Sequence, residues 1–183
     1  MRAIDVRDLL ETPGSSRTVH VEEPVPGLRT ELADVPEDTP IAADLTLESV
    51  VEGIFVRGSL EGRFAMRCAR CLKTFERDFD VEMTELVPRE PGPDDDYALE
   101  PDLTLDPEPI VRDAVVLEMP FSPLCRPDCL GLCEICGGDR NLGECPGHEV
   151  TDPRWDALDV LLQHLEARPD QETSDDDDRT TTS

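Results

Sequence analysis

Seven cysteines, at positions 68, 71, 125, 129, 133, 136 and 145, constrain this chain more than any other feature, because they fall in two widely separated bursts. Cys68-Ala-Arg-Cys71 stands between two β-type runs. A C-x-x-C at a hairpin tip lets two thiolates converge on one ion from a tight turn, as in the knuckles of zinc ribbons. The same spacing serves redox enzymes of the thioredoxin type, but those place it after a strand and at the start of a helix. Here strand is expected on both sides. The second burst, Cys125-x3-Cys129-x3-Cys133-x2-Cys136-x8-Cys145-x2-His148, packs six potential ligands into 24 residues, and its glycines supply the sharp turns that bring ligands to a common centre.

Seven cysteines and His148 make eight potential ligands, the number that two closed tetrahedral zinc sites require. Cys133, Cys136, Cys145 and His148 form a local set. Cys68 and Cys71 would then join Cys125 and Cys129, tying the sheet to the segment after the first long helix. A one-site alternative groups Cys125, Cys129, Cys133 and Cys136, leaves the hairpin pair as free thiols and makes His148 a surface histidine. In either case one or two Zn2+ ions are expected to be structural, since four protein ligands leave no position for water. The odd number of cysteines argues against complete disulfide pairing. Residues 1–10 carry four charges and no apolar run, so they do not resemble a signal peptide, and a reducing cytoplasm, where clustered cysteines bind metal, is the expected location.

The remaining text predicts an α+β fold: an antiparallel β meander or small barrel with a zinc-knuckle hairpin, followed by two helices flanking the cysteine-rich segment. Asp5 is placed to cap a short helix over residues 6–10. Residues 17–87 form the β-rich part, with runs at 18–21, 28–35, 41–51, 54–60 and 63–68, the last two divided by a Glu61-Gly62 turn. The clearest strand is 75–83, where Phe75, Phe79, Val81 and Met83 share one parity and Glu76, Asp78, Asp80 and Glu82 the other, with Arg77 interrupting the apolar face. Residues 88–107 read as an acidic, proline-rich loop. Asp106 and Pro107 then read as a cap and first helical residue, with Ile110, Val111, Ala114, Val115 and Leu117 as the apolar face. Residues 108–167 form the helical and cysteine-rich part of a single domain spanning 1–167. In its last helix Trp155, Leu158, Leu161, Leu162 and Leu165 are spaced for core packing. The acidic tail, 168–183, cannot bury enough apolar surface to offset chain entropy and is expected to be disordered.

Charge limits the partners. The formal net charge is −26, and the tail, with six acidic and two basic residues, carries little of it. Such a surface repels phosphates over most of its area and favours a basic protein. Around the hairpin cysteines the sign reverses: Arg63, Arg67, Arg70 and Lys73 lie in a window, 63–75, without Asp or Glu. Two readings of this window stand side by side, a small nucleic-acid-binding patch and a set of cations offsetting the charge of a zinc bound by four thiolates. No stretch approaches the ~20 apolar residues that cross a bilayer. Nor does any G-x-S-x-G, phosphate-binding glycine loop or H-E-x-x-H motif occur, so an enzyme with catalytic residues is not expected.

Taken together, Cys68-Ala-Arg-Cys71-Leu72, the strand after it, the acidic linker, the stretch from Asp113 to Pro120, and Pro123-Leu124-Cys125 through Gly131-Leu132-Cys133-x-x-Cys136-Gly137 resemble the YceD family. The closing Asp152-Pro153-Arg154-Trp155 and its leucine-rich helix resemble actinobacterial-type members. The resemblance covers nearly the whole chain except the tail. It implies a role in ribosome biogenesis, in the synthesis, processing or stability of large-subunit ribosomal RNA. The implied partner is a basic ribosomal protein or the pre-ribosomal large subunit, with possible rRNA contact and neither membrane nor small-molecule substrate. The competing class is a thiol- or zinc-based redox-responsive regulator.

Overall fold

Alternating buried and exposed side chains along four of the strands organise residues Met1–Glu144, the first of two compact units; the second is Cys145–Ser183. The protein is seen in a computed structural model that describes residues 1–148 with Trp155, Leu158, Leu161 and Leu162. The first unit runs β1 (Ile4–Asp5), α1 (Arg7–Glu11), β2 (Ser16–Glu23), β3 (Ala33–Asp34), β4 (Ile41–Ser49), β5 (Gly53–Arg67), β6 (Thr74–Pro88), β7 (Thr104–Leu105), α2 (Glu108–Glu118) and a 3-10 turn, Arg140–Leu142. It is mostly antiparallel sheet with two helices. β2 pairs with β4 and β4 with β5, from Ser49 opposite Ile54 to Ala42 opposite Glu61. β3 continues that side of β5 at Ala65 and Met66, and β6 pairs with β5 along its whole length, from Gly53 opposite Pro88 to Arg67 opposite Thr74. Residues 68–73 therefore form the tip of a long hairpin.

One face of the sheet supplies the core. Ile41, Ala43, Leu45 and Leu47 of β4 and Ile54, Val56, Leu60, Phe64 and Met66 of β5 are buried, as are Ile110, Val111 and Val115 of α2. Each large aliphatic side chain removed from water here contributes roughly 1.5–3 kcal/mol. On β6 the expected parity is present, with Phe79 and Met83 buried and the acidic positions exposed.

Several local expectations are corrected. β5 does not turn at Glu61-Gly62 but runs unbroken, because Gly62 is a site of close approach: a Cβ there would lie 2.5 Å from the ring of Phe79, which stacks on Phe64 at 4.3 Å. The run 28–35 is not one strand. It folds back on itself, Val35 N–H donating to Leu28 O at 2.9 Å and Ala33 N–H to the Thr30 hydroxyl at 3.1 Å, so that only Ala33–Asp34 joins the sheet. Both helices begin one residue later than expected, and Asp5 and Asp106 serve just outside them, accepting from Arg7 N–H at 3.1 Å and Glu108 N–H at 2.9 Å. Leu117 leaves the apolar face of α2 and is 86% exposed, while Met119, past the helix end, is buried.

In the second unit Trp155, Leu158, Leu161 and Leu162 are exposed. Leu165 and the tail 168–183 lie outside the described residues. Among the described residues no helix is long and apolar enough to cross a membrane.

Candidate metal centre

The hairpin tip is built by its backbone. Cys68 N–H donates to Lys73 O at 2.9 Å and Leu72 N–H donates back to Cys68 O at 2.9 Å, which turns the chain sharply and leaves both cysteine side chains on one side. The turn needs a left-handed residue after the second cysteine, and Leu72 takes it with φ of 60°. For a residue with a Cβ that conformation costs about 1–2 kcal/mol.

A second segment closes on this tip. Ala69 N–H donates to Pro123 O at 2.8 Å, Arg70 Nη1 donates to Cys129 O at 2.9 Å, and Leu132 N–H donates to Arg70 O at 3.0 Å. Gly131, with φ of 75°, lets the backbones touch: a Cβ on it would stand 2.9 Å from Arg70 O. These contacts deliver Cys125 and Cys129 to Cys68 and Cys71. The ligand atoms of the four lie within 4.8 Å of one another, and Cys68, Cys71 and Cys129 are buried.

The donor set fits a tetrahedral zinc ion. The sulfur atoms of Cys68 and Cys129 are 3.8 Å apart and those of Cys71 and Cys125 3.7 Å. Zn–S bonds of about 2.3 Å give tetrahedral edges of about 3.8 Å. These separations are far beyond the roughly 2.05 Å of a disulfide. Protonation tells the same story. Burial pushes the Cys68 thiol up, but hydrogen bonds from the backbone at Cys125, Cys71 and Arg70 outweigh it and bring it down to about 6. Burial, reinforced by the neighbouring thiols, pushes Cys125 up to about 12. A divalent cation among them is what would allow all four to be thiolates at once.

Two cysteine-rich groups could hold metal ions: Cys68, Cys71, Cys125 and Cys129 in one, and Cys133, Cys136, Cys145 and His148 in the other. Cys133 and Cys136 stand on a turn with the same hydrogen bonds as the hairpin tip: Cys133 N–H to Gly138 O at 2.9 Å and Gly137 N–H to Cys133 O at 2.8 Å. Gly137 takes the left-handed place with φ of 70°. Cys133 is buried, Cys145 half-buried, and Cys136 and His148 are exposed.

The basic window looks different in space. Strand pairing sets Asp78 opposite Arg63, and Arg63 donates to Asp78 at 2.7 Å and to Glu76 at 3.3 Å. Arg70 turns inward to Cys129 O. Lys73 pairs with buried Asp139 at 2.8 Å. Lys73, and then Asn141, hold the Asp139 carboxyl down at about 2. Three of the four cations are thus engaged by other residues, while Arg67, at the end of β5, is exposed.

Two residues that sequence reasoning passed over sit at the heart of the arrangement. Asp139 caps the 3-10 turn, its carboxylate accepting from Asn141 N–H at 2.9 Å, and Asn141 Nδ2 reaches Cys129 Sγ at 3.6 Å. An Asp just before a short turn is a readable cap signal. Nothing in the text signals the contact of Asn141 with sulfur.

The family model described as "Large ribosomal RNA subunit accumulation protein YceD" matches residues 56–162. An uncharacterized protein of Mycobacterium tuberculosis (strain H37Rv) is 37% identical over 168 residues, covering 87% of this chain and 80% of the relative. An uncharacterized protein of Mycobacterium leprae is 31% identical over 167 residues, covering 86% of this chain and 76% of the relative. No solved structure matches the chain. The family's description names accumulation of large-subunit ribosomal RNA, and the matched span takes in both groups of potential metal ligands: the chain belongs to the YceD family.

Proposed function

We propose that this protein is a non-enzymatic, cytoplasmic ribosome-biogenesis factor that supports the synthesis, processing or stability of large-subunit ribosomal RNA, with zinc as scaffold. The family match carries the first part of this reading. The second is supported by the closed set of Cys68, Cys71, Cys125 and Cys129, in which four sulfurs would fill the coordination sphere and leave no place for substrate or water. Zinc bound there supplies no chemistry beyond cross-linking the hairpin tip to the segment after α2. The set Cys133, Cys136, Cys145 and His148 is read as a second structural ion.

The partner we favour is a basic ribosomal protein. The net charge of −26 supports this, as does the pairing of Arg63 with Asp78 and Glu76, of Arg70 with Cys129 O and of Lys73 with Asp139, which offsets or occupies these cations. Affinity capture from lysate at low and moderate salt, with ribosomal RNA profiled after depletion, tests the reading. Loss of large-subunit RNA and salt-sensitive recovery of ribosomal proteins are expected. Normal RNA levels with no ribosomal protein captured would overturn it.

The exposure of Cys136 favours a second reading, a thiol-based redox-responsive regulator. Release of zinc under mild peroxide, reversed by reductant, would support that reading, and retention of zinc would remove it.

A further inference from the structure

Asn141 lies where three segments meet, and its side-chain amide has only one orientation that satisfies its neighbours. Its Oδ1 faces two donors, Leu130 N–H at 2.8 Å and Arg126 Nη2 at 2.8 Å. The amide oxygen is therefore fixed on that side, and the two N–H bonds of Nδ2 must point the other way. There they meet two acceptors, Asp139 Oδ1 at 2.7 Å and Cys129 Sγ at 3.6 Å. Asp139 is in turn held by Lys73, from the hairpin tip that carries Cys68 and Cys71. The amide thus joins the sulfur of one candidate ligand to the turn that bears Cys133 and Cys136, and through Asp139 to the opposite knuckle.

We propose that Asn141 is the positioning residue of the four-cysteine cluster: by donating to Cys129 Sγ it aims that sulfur at the ion and spreads part of the thiolate's charge, and so sets how tightly the cluster keeps its metal. The proposal rests on the reading that Cys68, Cys71, Cys125 and Cys129 hold zinc. Aspartate would turn a carboxylate toward both Asp139 and the thiolate, and leucine would leave Leu130 N–H, Arg126 and Asp139 without this partner. Partners that orient metal ligands in this way are typically worth about 10- to 100-fold in metal affinity.

The test compares wild type, Asn141→Leu and Asn141→Asp, each as the full chain loaded with zinc or with cobalt. Three readouts are used: zinc competition with a chromogenic chelator, the thiolate-to-cobalt charge-transfer band, and alkylation of each cysteine mapped by mass spectrometry. The expected result is a roughly 10- to 100-fold weaker retention in Asn141→Leu and a larger loss in Asn141→Asp. A displaced charge-transfer band and alkylation of Cys129 ahead of Cys68, Cys71 and Cys125 should accompany it. Arg126→Ala frees the outer side of the amide without altering any atom that touches sulfur; it keeps the test open if the leucine variant does not fold, and a few-fold loss is expected. Wild-type retention and an unmoved cobalt band in the folded variants overturn the role of Asn141 alone. A folded wild-type chain with no metal overturns the cluster reading and the proposal with it.

Discussion

Between Cys68 and Lys73 the chain turns with a leucine in the left-handed region, and between Cys133 and Gly138 it makes the same turn, by the same pair of hydrogen bonds, with a glycine. The surroundings divide the two further. The first tip is carried by a 15-residue strand on either side and closes on Cys125 and Cys129, with Cys68 fully buried. The second is flanked by a single bridge, Leu132 to Asp139, and shows Cys136 to solvent. The comparison teaches that the hydrogen-bond frame makes a knuckle, while the long-range packing around it decides whether the knuckle is strained, buried and expensive to lose.

The largest expected effect tests that burial. Cys68→Ser should abolish metal at the first cluster and destabilise the first unit by about 4 kcal/mol or more, whereas Cys136→Ser, at an exposed sulfur, should cost clearly less. Zinc stoichiometry and denaturant unfolding would check both, and equal losses would break the distinction. Next comes Gly131→Ala, where a left-handed φ of 75° and a 2.9 Å approach to Arg70 O together predict a loss of about 2–3 kcal/mol. Gly137→Ala meets no atom within 4 Å and should lose only about 1 kcal/mol, the conformational part alone. Thermal unfolding of the two alanine variants side by side separates close approach from backbone strain.

A smaller effect concerns the ion pair between the knuckles. The Asp139 carboxyl is held low, so its contribution to stability is whole above the ordinary carboxylate value of about 3.9 and is lost as pH falls through about 2. Lys73→Met raises the carboxyl and should move the acid-unfolding midpoint to higher pH, modestly, because Lys73 is 55% exposed. An unmoved midpoint would show that the pair does not link the tips. Smallest is Leu72→Gly: relief of left-handed strain opposes the added freedom of the unfolded chain, and a net change within about 0.5 kcal/mol is expected. A large loss would mean that the exposed leucine side chain contributes more than its backbone costs.

Sequence spacing was enough to bring out the two groups of potential ligands, the hairpin position of Cys68 and Cys71 and the alternation of β6, because each depends on residues close together along the chain. What it hid depends on distance in space. Gly62 looks like a turn and is a gap for the Phe79 ring. The basic window 63–75 looks unopposed until pairing brings Glu76 and Asp78 across from it and folding brings Asp139. Asn141 looks like an ordinary loop residue, since its importance comes from Cys129, Asp139 and Arg126 arriving together. Leu117 fits the helical period of α2, yet its side chain is exposed while Met119, past the helix end, takes a place in the core.

The separation of partners within the first cluster also has a consequence in time. Cys68 and Cys129 are 61 positions apart, and Cys71 and Cys125 are 54. At a synthesis rate of about 5–20 residues per second, a nascent chain would wait about 3–12 s between the polymerisation of Cys68 and that of Cys129. During that interval the hairpin thiols have no mates of their own, and whatever protects them from oxidation or from capture by stray metal must act while translation is still under way.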